Sequence, residues 1–286
     1  MENNILLYYI FDVDDNLLNM STEIIVLNNE GQEVGIETHD FRSYRNIIGS
    51  KEFEYKGNII VGYPLKDDGS VDNNRAYKNF MDYPDSEIFM EDVIKALSNN
   101  QQGPAWDDFI ECLTNGSMFS IITARGHEDD KIREVIEYII NNELSEDQKH
   151  LMYNNLLKFS YIFKGEHDNF NNFPSSILTE NKLVKKYLNS CDYIGVSSPS
   201  RGGQPDSVEM AKGKAIIEFK NKINNFGKRV GMKVKLGFSD DDLKNVKHIE
   251  DLFKQVNHEE FSNIIQYTVK NTNDPNNITK TIRDIK

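Results

Sequence analysis

Ile10-Phe11-Asp12-Val13-Asp14-Asp15-Asn16-Leu17 decides the reading of this chain. The apolar run from Ile5 to Phe11 reads as a buried strand, and it stops abruptly in a cluster of carboxylates. Side chains alternate along an extended backbone, so Asp12 and Asp14 face the same way at the strand's end. Two carboxylates that close repel unless a cation sits between them or one keeps its proton. The pattern points to a metal site, to a nucleophile-plus-acid pair, or to both. A solvated turn is the plain alternative, and the rest of the chain decides between them.

Working outward, Glu23 to Asn28 and Glu33 to Thr38 flank Asn29-Glu30-Gly31-Gln32, a β-hairpin directly after the first strand. Residues 39–85 mix aromatics, glycine and polar residues, with a strand at Asn58 to Gly62. Helices are expected from Glu87 to Leu97, Trp106 to Leu113, Asp129 to Asn141, Ser145 to Leu157, Asn181 to Leu188, Ser207 to Asn224, and Leu243 to Val256. Further strands are expected at Ser117 to Thr123, Phe159 to Phe163, Tyr193 to Val196 and Lys233 to Phe238.

Strands alternating with helices predict an α/β, Rossmann-like, three-layer fold around a parallel sheet. In such sheets ligands bind beyond the carboxyl ends of the strands. Three of these strands end in Asp12 and Asp14, in Thr123, and in Asp240 and Asp241. That convergence is harder to attribute to chance than any one segment.

The bulk composition narrows the function. With 286 residues and 38% hydrophobic content the chain can bury a sizeable core under a polar surface. A net charge of −13 disfavours nucleic acid or an anionic membrane as the main partner, while leaving room for a local basic pocket. The 2 cysteines, Cys112 and Cys191, form no CxxC, and the 6 histidines form no HExxH. No apolar run approaches a membrane span and the first residues lack a basic leader, so a reduced, cytoplasmic setting is expected. The richness in Asn, Lys and Ile fits an AT-rich genome, such as many phages have.

In order along the chain stand a strand ending in DxD, a strand ending in Thr123, a lysine near a helix start, and a strand ending in paired aspartates. This order resembles the haloacid dehalogenase superfamily, most of whose members are Mg-dependent phosphatases and phosphotransferases. The resemblance implies Mg²⁺ as cofactor and Asp12 as a nucleophile forming an aspartyl-phosphate. It implies Asp14 as general acid and base, and Asp12, Asp14, Asp240 and Asp241 around the metal. Thr123 would bind a phosphate oxygen. Lys212 or Lys214, in Ala211-Lys212-Gly213-Lys214-Ala215, would offset charge on the phosphoryl group. Where the family has Gly and Thr after its second Asp, this chain has Asp15 and Asn16. Asn16 is expected to orient Asp14 or bind substrate, and Arg125 to reach a substrate anion. Thr123-Ala124-Arg125 with Lys235 to Asp241 looks similar to the phosphatase half of phage polynucleotide kinase–phosphatases.

The expected organisation is a core of residues 1–38 and 105–270 carrying the hairpin as a flap, with a cap inserted at 39–104. A second insertion at 142–190 and a loosely held tail at 271–286 complete it. The leading expectation is a phosphatase acting on a small phosphorylated substrate. The alternatives are a polynucleotide or nucleotide 3′-phosphatase of the same fold, and an inactive phage binding or virion protein. No P-loop and no dinucleotide-binding GxGxxG follows the first strand.

Overall fold

Strand β1 (Ile5–Phe11) runs through the middle of the molecule and divides its core in two. Tyr8 and Ile10 turn into one apolar cluster, while Phe11, with Tyr9 against it, enters the other. This computed structural model describes residues 5–81, 87–159, 180–203, 205, 207–254 and 263–285. The strand expected at Phe159 to Phe163 lies outside them, except that Phe159 closes a helix. The expected end of the Leu243 helix at Val256 and part of the second insertion lie outside them too.

The main sheet has six strands in the order β10-β9-β8-β1-β6-β7. β6 (Met118–Thr123), β7 (Asp192–Gly195), β8 (Lys233–Asp240) and β9 (Ile264–Asn271) continue β1 in parallel. β10 (Thr279–Asp284) pairs antiparallel with β9, so the sheet is mixed rather than wholly parallel. The residues expected to form a loose tail therefore supply an edge strand. The six residues of β10 are all exposed, so backbone pairing rather than burial holds it.

Helices cover both faces. α3 (Ile88–Ser98), α4 (Trp106–Thr114), α5 (Asp129–Asn142), α6 (Glu146–Phe159) and α7 (Glu180–Ser190) pack on the side of Phe11. α8 (Val208–Val230) and α9 (Leu243–Lys254) pack on the side of Ile10. The chain steps outward from β1 to β7, then returns past β1 to β8 and β9. Right-handed crossovers put the helices of the two journeys on opposite faces. The order reverses between β1 and β8, which makes their carboxyl ends the switch point where such sheets bind ligands.

α8 begins where Ser207 Oγ accepts from the Met210 N–H at 3.2 Å. It runs past Asn224, its expected end, to a left-handed Gly231 with φ 70°. Only there does a residue free to take positive φ close the helix.

A second, antiparallel sheet of order β3-β2-β5-β4 lies over the switch point. β2 (Glu23–Asn28) and β3 (Glu33–Glu37) form the expected hairpin. β2 also pairs with β5 (Asn58–Gly62), which pairs with β4 (Phe53–Tyr55), so residues on both sides of position 38 share one sheet. Val26, Ile36, Ile48, Tyr55 and Ile60 give it a small core of its own. α1 (Thr38–Tyr44) follows β3 and carries no buried residue. α2 (Asn73–Ala76) leads back toward the main body. Gly126 N–H donates to Phe80 O at 2.7 Å, tying the two parts together. No helix among the described residues is long and apolar enough to cross a membrane.

Candidate active site

The switch point holds three buried carboxylates and one buried ammonium. Asp12 follows β1, Asp240 ends β8, and Asp241 follows it. One oxygen from each lies within 4.8 Å of the others. Lys212, in the second turn of α8, sits 2.9 Å from Asp12 Oδ1 and 2.9 Å from Asp240 Oδ2. It is only 2% exposed. Burial disfavours its charge, but Asp12 and Asp240 outweigh that and hold the ammonium well above its ordinary range. Burial pushes the Asp12 carboxyl up to about 7 against the pull of Lys212, with Asp240 and Asp14 adding to the rise. Burial, then Asp240 and Asp12, push Asp241 up to about 9 against the pull of Arg42.

Lys214 does not join this group. Two residues along a helix is a rotation of about 200°, so only one of the pair can face the sheet. Lys214 is exposed.

The loop after Asp12 is a single helical turn in which Leu17 N–H and Leu18 N–H both donate to Val13 O, at 2.9 and 3.1 Å. It turns Asn16 down into the protein. Asn16 Nδ2 donates to Asp12 O at 3.0 Å, Ser239 O at 3.2 Å and Ser239 Oγ at 3.0 Å. Its Oδ1 accepts from Thr272 Oγ1 at 2.8 Å. Asn16 is thus wholly buried and staples β1 to β8, rather than orienting Asp14 or meeting substrate. The turn between β9 and β10 braces the same place. Thr272 N–H donates to Asp240 O at 3.1 Å, and Asn273 Nδ2 to Asp241 O at 3.0 Å.

Arg125 is also redirected. It is neither a substrate contact nor a surface ion pair, being wholly buried. Its Nε donates to Asp14 Oδ2 at 2.9 Å and its Nη2 to Asp14 Oδ1 at 2.7 Å, a two-pronged clamp. Nη2 also donates to Thr22 Oγ1 at 2.6 Å, and Thr22 in turn donates to Asp92. The rings of Phe80 and Phe89 stand 4.9 and 4.7 Å from the guanidinium carbon. Asp14 still lines the cavity. Thr123 is buried at the end of β6, and its Oγ1 accepts from the Arg125 N–H at 3.3 Å. It is not among the residues lining the cavity; Ala124 and Gly126 are.

Asp15 takes a left-handed φ of 55°, a conformation that Asp and Asn tolerate better than most residues. Burial pushes it up to about 6 although Arg42 pulls it down. Arg42 and Arg45 descend from the end of α1 onto these acids. Arg42 Nη2 lies 3.1 Å from Asp15 Oδ2 and its Nη1 donates to Asp241 Oδ2 at 2.6 Å. Arg45 Nη1 donates to Asp242 Oδ2 at 2.7 Å.

Between the second sheet and the switch point lies a cavity of about 420 Å³. Asp12, Asp14, Asp241 and Lys212 line its floor, and Arg42, Arg45, Tyr63, Tyr77 and Phe80 line the wall opposite. Among the buried polar atoms of lining residues without a hydrogen-bond partner are Ser197 Oγ and Asn245 Oδ1. Asn245 Nδ2 bonds both oxygens of Asp240 at 3.1 Å.

Of the expected site residues, Asp12, Asp14, Asp240, Asp241 and Lys212 converge, while Asn16 and Arg125 support them from within. Arg42, Arg45, Ser197 and Asn245 were not singled out by the sequence. Two of them left a signal there: Ser197 directly follows the expected strand Tyr193 to Val196, and Asn245 stands one helical turn beyond Asp241. No protein-family model, no curated protein and no solved structure matches this chain.

Proposed function

We propose that this cavity hydrolyses a small phosphomonoester with Mg²⁺ as cofactor, by the chemistry of the haloacid dehalogenase superfamily. The observation that carries the reading is the buried Lys212 joining Asp12 to Asp240, with Asp241 beside them, at the switch point of the sheet. Four buried acids, Asp12, Asp15, Asp240 and Asp241, around the two cations Lys212 and Arg42 leave an excess of negative charge. Asp12 Oδ1 is buried with the Lys212 ammonium, 2.9 Å away, as its counter-charge. An all-oxygen set of this kind suits Mg²⁺ better than a softer ion. Asp12, Asp240 and Asp241 would hold it, where it would relieve repulsion between an anionic nucleophile and an anionic phosphate.

A carboxylate oxygen of Asp12 attacks phosphorus, the bond from phosphorus to the ester oxygen breaks, and that oxygen takes up a proton. Asp14 is the lining carboxyl placed to give that proton, and then to take one from the water that cleaves the acyl phosphate. Arg125 fixes its orientation. Lys212 offsets charge on Asp12 and on the phosphoryl oxygens, and Ser197 Oγ donates to one of them. The antiparallel sheet with α1 acts as flap and cap, closing the cavity from water. A space of about 420 Å³ admits a small ester more readily than a nucleic-acid strand.

The test is phosphate release from an aryl phosphate, with and without Mg²⁺, by the wild type and by Asp12→Asn. Mg²⁺-dependent turnover that disappears in the variant is expected. Turnover that survives Asp12→Asn overturns the assignment of the nucleophile.

A further inference from the structure

Arg42 is the one residue of the overlying module that touches both an acid of the catalytic loop and a carboxylate of the candidate metal set among the described ion pairs. It arrives on α1, which has no fully buried residue but packs Phe41 and Tyr44 against the small core of the second sheet. What holds its guanidinium is charge. Asp15 and Asp241 are each nearly buried, with side chains 5% and 7% exposed, and Arg42 lies across both.

This position conflicts with occupancy of the metal site. A divalent cation on Asp241 and a guanidinium 2.6 Å from the same carboxylate would contend for one charge, where solvent screens them poorly. The cavity lining also carries more carboxylates than cations, so an incoming phosphate is repelled until that balance shifts. A planar guanidinium is the side chain best shaped to meet two phosphoryl oxygens at once. Arg45, one turn further on, stays tethered to Asp242 and keeps α1 over the cavity.

We propose that Arg42 is the phosphate-binding arginine of this site, stored on Asp15 and Asp241 in the free protein and passed to the phosphoryl oxygens when a divalent cation takes Asp241. The proposal rests on the metal-dependent reading of the cavity. It makes cation and phosphate binding cooperative through one side chain, each strengthening the other by the same factor.

Calorimetric titration tests this without turnover. Mg²⁺ is titrated into the metal-free protein, and inorganic phosphate into the protein with and without Mg²⁺, for wild type, Arg42→Ala and Arg42→Lys. Removing the competing guanidinium should tighten Mg²⁺ binding to Arg42→Ala about fivefold or more, and weaken phosphate binding in Mg²⁺ about tenfold. Arg42→Lys should restore the competition with Mg²⁺ but little of the phosphate affinity. Mg²⁺ affinity unchanged or weakened in Arg42→Ala overturns the proposal, as does unchanged phosphate affinity. A wild type that binds neither probe overturns this proposal together with the metal-dependent reading. Cooperative binding lost in Arg42→Ala, in a protein with no phosphatase turnover, supports the proposal while the catalytic reading fails alone.

Discussion

Arg125 grips both oxygens of Asp14, at 2.9 and 2.7 Å, from a position with no solvent exposure of its own. Removing one partner of such a pair strands the other charge in the interior, which costs about 3–5 kcal/mol. Asp14→Asn should therefore lower stability by roughly that amount. Asp12→Asn should be neutral or stabilising, because it relieves crowding among Asp12, Asp240 and Asp241. Urea denaturation of the two variants measures the difference. If Asp14→Asn costs no more than Asp12→Asn, the clamp on Asp14 is not what holds the Arg125 charge in the interior.

Three acids of the site are pushed upward chiefly by burial, Asp241 to about 9, Asp12 to about 7 and Asp15 to about 6. Each binds its proton more tightly folded than unfolded, where its ordinary value is 3.8. As pH falls from about 9, the folded protein takes up these protons first, and stability rises. His127 works the other way. Burial, helped by Arg125, lowers it to about 3, so the unfolded chain takes up that proton first below about 6.5 and stability falls. Melting temperature in chelator should thus rise from pH 9 to 7. Asp241→Asn should exceed the wild type most at the alkaline end, with the gap closing toward pH 4. A gap that widens on acidification would contradict the raised value of Asp241.

The parts of the fold that sequence revealed are the most deeply buried strands. β6 is buried on both faces, while β1 sets Leu6, Tyr8 and Ile10, and β8 sets Val234, Leu236 and Phe238, into the core under α8 and α9. β9 alternates buried and half-buried residues, and β10 is exposed throughout, so neither shows an apolar run. The carboxylates and Lys212 were legible because each ends a strand or opens a helix. Arg42 was not: its helix has no buried residue, and the acid it grips lies 199 positions away. The sequence marks Asn16 and Arg125 but not their direction, since spacing locates a side chain without saying whether it turns toward the cavity or the core.

Mg²⁺ should stabilise the protein by mass action, about 2.7 kcal/mol at a hundredfold excess over the dissociation constant. The gain should be larger at pH 8 than at pH 6, because the ligands bind metal only when ionised and Asp12 is pushed up to about 7. Thermal melts with Mg²⁺ and with chelator, at both pH values, test this. Asp241→Asn should lose most of the shift. An equal shift in that variant would place the ion elsewhere.

Gly103 bears on the site from behind. Its N–H donates to Leu17 O at 2.7 Å, which brings its backbone against the turn that carries Asp14 and Asn16. A Cβ built at Gly103 would lie 2.4 Å from Asn16 O and 2.7 Å from the Asn16 carbonyl carbon. These are backbone atoms, and Asn16 O is itself held by the Ala105 N–H at 2.9 Å, so the turn cannot yield freely. Gly103→Ala should therefore cost about 1–3 kcal/mol, in the range of overpacking. Because the strain falls on the loop between Asp12 and Asn16, kcat should drop further than lost stability explains at temperatures well below the melt. Denaturation and phosphate-release kinetics on the same preparation separate the two effects. Unchanged stability in Gly103→Ala would mean that the helix-to-loop packing gives way there, and that the turn bearing Asp14 is less rigidly held than its hydrogen bonds imply.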